Sequence, residues 1–198
     1  MRPLKVLTPD DFVADLKHCK RPKTVVDRVG MIGVHECVRE CLGHIKDWLP
    51  SDSATAVDRV PPVTLSRCMR GGKTTMCASF DKLREEGYNP IFVSFNGDFN
   101  IKQLPREVDS IETLTRAIGI ALMKSPPTVE EMGGVACSPG TVRECLAGKE
   151  KVVLLIDELN VLLKVGSPDL HSKVGAFLRA NFLDPPGRYL VFSTHFPL

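Results

Sequence analysis

The chain lacks a charge imbalance, a long apolar run, a paired-cysteine spacing and any internal repeat. Lys+Arg number 26 and Asp+Glu 24, for a formal net charge of +2. Composition therefore offers no broad basic surface for nucleic acid or membrane, and any anion site must be local. No apolar stretch approaches the ~18 residues of a membrane helix, and the opening MRPLKVLTPDDF has no apolar signal-peptide core. The expectation is an intracellular protein, cytoplasmic or nuclear, with no membrane partner. The 7 cysteines are odd in number and form no CxxC pair, which argues for reduced thiols rather than a disulfide framework. The densest group, His35, Cys37, Cys41 and His44 in HECVRECLGH, falls in a helical pattern. Side chains spread around one continuous helix cannot converge on a zinc ion, so these read as half-buried thiols.

What is present is an alternation of elements in a chain of 198 residues, a length that suits one domain with a sizeable core. Residues 1–23 read as an N-terminal extension, with a short helix over 11–19, and 24–198 as the core. A helix is predicted over GVHECVRECLGHIKDWL, ended by Pro50, followed by the polar loop SDSATAVDR. From Val60 the order is strand VPPVTLS, helix GKTTMCASFDKLREEG, strand NPIFVSFNG and helix SIETLTRAIGIALMK, with Ile111, Leu114, Ile118, Ala121 and Leu122 at helical spacing. A loop, SPPTVEEMGGVACSPGT, leads to an amphipathic piece, TVRECLAG. Then come strand KVVLLIDE, helix DLHSKVGAFLRANFL and strand RYLVFSTHF. This order predicts an α/β fold, a three-layer sandwich with a parallel sheet, with functional residues at the carboxyl ends of the strands.

The stretch SRCMRGGKTT ends as a phosphate-binding loop does but lacks its first glycine. On the pattern G-x-x-x-x-G-K-[ST], Gly72, Lys73 and Thr74 are in place and Arg67 stands where the opening glycine would be. A turn between a buried strand and a helix aims backbone N–H groups and the helix's partial positive charge at phosphate oxygens. Arg67, Cys68, Met69, Arg70, Gly71, Gly72, Lys73, Thr74 and Thr75 are the candidate nucleotide-binding residues. Gly71 and Gly72 permit close backbone approach, Lys73 reaches the β- and γ-phosphates, and Thr74 places its hydroxyl on Mg²⁺. A basic helix start with no anion would oppose the helix dipole.

Downstream, KVVLLIDEL ends an apolar run in two acids. Asp157 is the candidate Mg²⁺ residue and Glu158 the candidate that orients or deprotonates the attacking water. In RYLVFSTHF, if this strand lies between those carrying the loop and the acid pair, Ser193, Thr194 and His195 face the γ-phosphate. His195 is the first choice to sense it and Thr194 the second.

These features resemble an ASCE-division P-loop ATPase of the AAA+ or STAND kind, in which a glutamate stands beside the Mg²⁺-coordinating aspartate. More narrowly, LSRCMRGGKTT, PIFVSFNG, LLIDELNVLL and RYLVFSTHFPL resemble the ATPase domains of Crinkler and retrotransposon-hot-spot type proteins of oomycetes and trypanosomatids. That resemblance offers a precedent for replacing the first loop glycine. It implies ATP with Mg²⁺ as cofactors, an adenine pocket lined by Val29 and Gly30 in DRVGMIGVHECV, and a motor or switch role for an effector function. It also implies a fifth strand and a helical lid, which are not apparent after the strand ending at STHF. A homo-oligomer or a lid domain is an expected partner, with Arg179 or Arg188 as a candidate charge supplied to a neighbour and Arg67 or Arg70 as the alternative source of that charge in cis. The sequence gives no nucleic-acid target. The strand before the loop would then lie at a sheet edge, which the N-terminal LKVL or a second protomer is expected to cover. Alternatives to Mg-dependent ATP hydrolysis are a non-catalytic nucleotide-binding module and a small-molecule kinase, the latter disfavoured by the acid pair.

Overall fold

The computed structural model describes residues 3–20, 34–47, 61–66, 80–95, 101–163 and 168–194. Its centre is a four-stranded sheet of β2 (Val63–Ser66), β3 (Asn89–Ser94), β5 (Val152–Asp157) and β6 (Arg188–Thr194), in the order β2-β6-β5-β3. All its strand pairs are parallel. All the residues of β5 are buried, as its unbroken apolar run requires of a strand covered on both faces.

The period of a strand sorts these side chains into two cores. Ile91, Val93, Val152, Leu154, Ile156 and Leu190 point to one face, where they meet Leu114 and Ile118 of α2 (Ser110–Leu122) and Val174 and Phe177 of α5 (Pro168–Leu178). Phe92, Val153, Leu155, Tyr189 and Val191 point to the other, against Cys41, Leu42 and Ile45 of α1 (Val34–Asp47) and against Phe80 and Leu83 of the helical segment 80–85. The architecture is thus α/β with helices on both faces of a parallel sheet. The helical segment 80–85, between β2 and β3, lies on one face, whereas α2, between β3 and β5, and α5, between β5 and β6, lie on the other. Such a reversal opens a crevice at the carboxyl ends of the strands.

Local chemistry sets the ends of these helices. The Asp109 carboxylate accepts from the N–H groups of Ile111 (3.1 Å) and Glu112 (3.4 Å) and starts α2. Ser138 caps α3 (Pro139–Leu146), with proline in its first turn, where no N–H is needed. Gly119 lets α2 approach its neighbours: a Cβ there would lie 2.8 Å from Cys137 Cβ and 2.9 Å from a Leu7 methyl.

The N-terminal residues differ from expectation in two respects. No helix spans 11–19; instead there are 3₁₀ turns at Pro9–Asp11 and Leu16–His18. Between them Phe12 bridges to Met123 and is buried with Leu7, Leu16 and Cys19 in the core of α2. Nor does LKVL cover β2. Lys5–Val6 (β1) pair in parallel with Val135–Ala136 (β4), and the Leu16–His18 turn packs against β3, at the opposite edge of the sheet. The Arg84 guanidinium fastens that turn by donating to the Cys19 carbonyl while lying 4.8 Å above the Phe80 ring. Among the described residues β2 pairs with β6 alone.

Further along, the stretch read as a loop over 125–141 contains a 3₁₀ turn at Met132–Gly134 and the strand β4. A short helix, α4 (Leu159–Leu163), follows the acid pair directly. The last helix ends at Leu178 and passes into a π-helical turn, Arg179–Leu183.

Candidate functional site

Parallel register carries the polar tips of the four strands to one end of the sheet. Ser94, the last residue of β3, lies beside Asp157 of β5; Ile156 lies beside Phe192, so Ser193 of β6 follows on the other flank of Asp157; Thr194 pairs with Ser66, the last residue of β2. β6 therefore lies between β2, which precedes the expected phosphate loop, and β5, which ends at the acid pair.

The Asp157 side chain is fully buried. Its Oδ1 accepts the Ser193 hydroxyl at 2.8 Å and its Oδ2 the Ser94 hydroxyl at 3.0 Å. Both donors are neutral, and no described cationic side chain forms an ion pair with this carboxylate. An aspartate taken out of water is ordinarily paired with a cation or bound to a metal. Glu158 follows with φ at 59°, a left-handed conformation unusual for a residue with a side chain. Its N–H donates to Ser193 Oγ at 3.0 Å. One serine hydroxyl therefore serves both acids, donating to the first and accepting from the backbone of the second.

Thr194 carries a further signal. Its Oγ1 is buried and has no hydrogen-bond partner among the described residues. Such a group calls for a polar partner, and this one lies level with the end of β2.

Beside Glu158 a cleft of about 700 Å³ opens between α4 and residues 101–107. Phe95, Ile101, Leu104, Val161 and Leu162 form apolar walls, and Lys102, Gln103, Glu107 and Thr113 add polar groups. The segment 101–107 is held by a buried ion pair. Arg116 of α2, 1% exposed, donates through Nε to Glu107 Oε1 at 2.5 Å and through Nη2 to the Lys102 carbonyl at 2.7 Å. Glu107 also accepts from the Leu104 N–H at 2.8 Å and the Thr113 hydroxyl at 2.8 Å. Burial, the largest single influence, pushes the Glu107 carboxyl upward. The Arg116 guanidinium, these two donors and the Arg116 charge together outweigh it and hold the carboxyl below the usual glutamate range.

Of the residues singled out from the sequence, Asp157, Glu158 and Thr194 are brought together with Ser193 at the carboxyl ends of β5 and β6. Arg67, Cys68, Met69, Arg70, Gly71, Gly72, Lys73, Thr74, Thr75, Val29, Gly30 and His195 lie outside the described residues. Arg188 is not a surface charge, and at the amino end of β6 it is remote from this site. Its Nη1 and Nη2 donate to the carbonyls of Asn181 (3.0 Å) and Leu146 (2.5 Å). Arg179 is exposed, 3.5 Å from Asp184.

Sequence reasoning missed Ser94 as a partner of Asp157, and missed the Glu107–Arg116 pair. The pair had a signal. The only charged residues of α2 are Glu112 and Arg116, and in a helix with so little polar surface a charge is apt to be buried and to need a partner. Among the described residues, no group of three or more His, Cys, Asp or Glu is placed to hold a metal, and no helix is long and apolar enough to cross a membrane. No protein-family model matches the chain, and no curated protein sequence matches it.

Proposed function

We propose that this chain is a P-loop ATPase module of the ASCE division that binds ATP with Mg²⁺ at the carboxyl ends of β2, β6 and β5 and hydrolyses it to drive a motor or switch. The observation that carries the reading is Asp157, fully buried with two neutral hydroxyl donors. A carboxylate held in this way suits a hard cation. Mg²⁺ in phosphate-transfer sites takes one or two carboxylates with substrate phosphates and water, not an all-protein cage. Supporting observations are the strand order that sets β6 between β2 and β5, the Thr194 hydroxyl, which has no partner among the described residues, and the sequence GGKTT after β2. The resemblance to Crinkler and retrotransposon-hot-spot type ATPase domains agrees with all of these.

The residues divide the work as follows. Asp157 and Thr74 hold Mg²⁺, which when bound supplies positive charge against the phosphate oxygens. The backbone of residues 67–75 and Lys73 bind the phosphates. Glu158 orients the attacking water and accepts its proton. Thr194 or His195 senses the γ-phosphate from the tip of β6, and Val29 and Gly30 face the base.

Calorimetric titration with ATP in Mg²⁺ tests the reading. The wild type is expected to bind, and Lys73→Ala to bind about 10- to 100-fold more weakly, the worth of a charge-assisted contact. Binding without phosphate release would leave a nucleotide-binding module, and failure of the wild type to bind any nucleoside triphosphate would end the proposal.

A further inference from the structure

Ser193 stands one residue before Thr194, whose hydroxyl has no partner among the described residues, and it does different work. It is 3% exposed, and its hydroxyl donates to Asp157 Oδ1 at 2.8 Å while accepting the Glu158 N–H at 3.0 Å. Ser94 contacts Asp157 Oδ2 at 3.0 Å from the other side. The two serines thus differ: both orient the aspartate, but only Ser193 also ties down the left-handed backbone of Glu158. A residue held at positive φ persists only where its surroundings over-determine it, and the Ser193 acceptor is one such restraint.

We infer that Ser193 is the positioning residue that couples the two acids, fixing the carboxylate of Asp157 and the backbone of Glu158 through a single hydroxyl across the β5–β6 seam. This rests on the nucleotide reading above. The hydroxyl moves no proton to substrate. Its effect is to keep the cation-holding group and the water-orienting group in one fixed relation, so that when Asp157 is in place Glu158 is too. Removing it takes away this acceptor of the Glu158 N–H and one of the two described side-chain donors to Asp157. Loss of an outer partner of this kind lowers metal affinity or activity by about 10- to 100-fold.

The test uses the full chain as wild type, Ser193→Ala, Ser193→Thr and Ser94→Ala. Steady-state phosphate release is measured against Mg²⁺ and ATP concentration, and amide hydrogen exchange at Glu158 is measured without nucleotide. Ser193→Ala is expected to lower kcat by about 10- to 100-fold, with little change in the KM for ATP and faster exchange at Glu158. Ser193→Thr, which keeps the hydroxyl, is expected to rescue most of the kcat loss. Ser94→Ala is expected to raise the Mg²⁺ requirement while the Glu158 amide stays protected. A purely structural serine would lower the melting temperature without this split between kcat and KM. Unchanged kcat and unchanged Glu158 exchange in Ser193→Ala overturn the inference and leave the nucleotide reading standing. A wild type that hydrolyses no ATP while its Glu158 amide still depends on Ser193 overturns the hydrolytic reading, and with it the catalytic meaning of the coupling.

Discussion

Glu158→Gln is expected to reduce ATP hydrolysis by about 10²- to 10⁴-fold, the usual contribution of a positioned general base, with Mg·ATP binding retained. The amide is nearly isosteric, so the backbone bond to Ser193 and the left-handed turn at φ 59° are preserved, and only the ability to take up a proton is lost. The strand supports this separation of roles. β5 ends at Asp157, and the chain turns at Glu158 into α4, so two adjacent acids receive different surroundings. The first is sealed between Ser94 and Ser193, and the second lines the cleft. Single-turnover phosphate release with a parallel binding titration checks the prediction. Release at the wild-type rate in Glu158→Gln would remove Glu158 from the chemistry, and a matching loss of ATP binding would give it a role in holding nucleotide.

Arg116→Ala is expected to destabilise the fold by about 3–5 kcal/mol, the penalty of leaving one member of a buried ion pair uncompensated. For a domain of this size that is a fall in melting temperature of roughly 6–20 °C. Glu107 would keep its Leu104 and Thr113 donors but lose the guanidinium that closes the segment 101–107. Acidification probes the same network. Because the folded-state carboxyl of Glu107 is held below its ordinary value, its contribution to stability is present above the ordinary glutamate value of about 4.3 and is lost as pH falls through the lower folded-state value. Urea unfolding of wild type, Arg116→Ala and Glu107→Gln between neutral and acid pH checks both effects. The wild type should lose stability on acidification and Glu107→Gln should show a flatter profile. Arg116→Ala as stable as wild type would show that the pair is dispensable.

Much of the sheet was legible from sequence because its strands announce themselves. VVLLI is apolar throughout, as are YLVF and IFV, and each run is bounded by polar or turn-forming residues. The acid pair at the tip of β5 and the polar tip of β6 followed from where those runs stop. The remainder depended on contacts distant in the chain. Leu7, Phe12 and Leu16 sit in a segment of weak periodicity, and only the exposed flank of α2 and β3 gives them a place to be buried. β1 and β4 are two-residue strands that exist through pairing with each other, with no local pattern to mark them. The apolar helix around Arg116 marks it for burial, but only the fold shows that Glu107, folded back from the preceding segment, neutralises it. Ser94 reads as an ordinary strand end, and only the register of β3 on β5 makes it a partner of Asp157.

On the proposed function, the buried carboxylate of Asp157 serves a cation that arrives with a nucleotide. The most direct measurement is thermal unfolding of wild type and Asp157→Asn, each with and without ATP and Mg²⁺. Replacing a buried carboxylate that has no described cationic partner by its neutral amide should leave the ligand-free protein about as stable as wild type. Mg·ATP should raise the wild-type melting temperature, as any ligand of the native state does, and should fail to raise that of Asp157→Asn. A wild type indifferent to Mg·ATP, or an Asp157→Asn protein stabilised as much as wild type, would contradict the account.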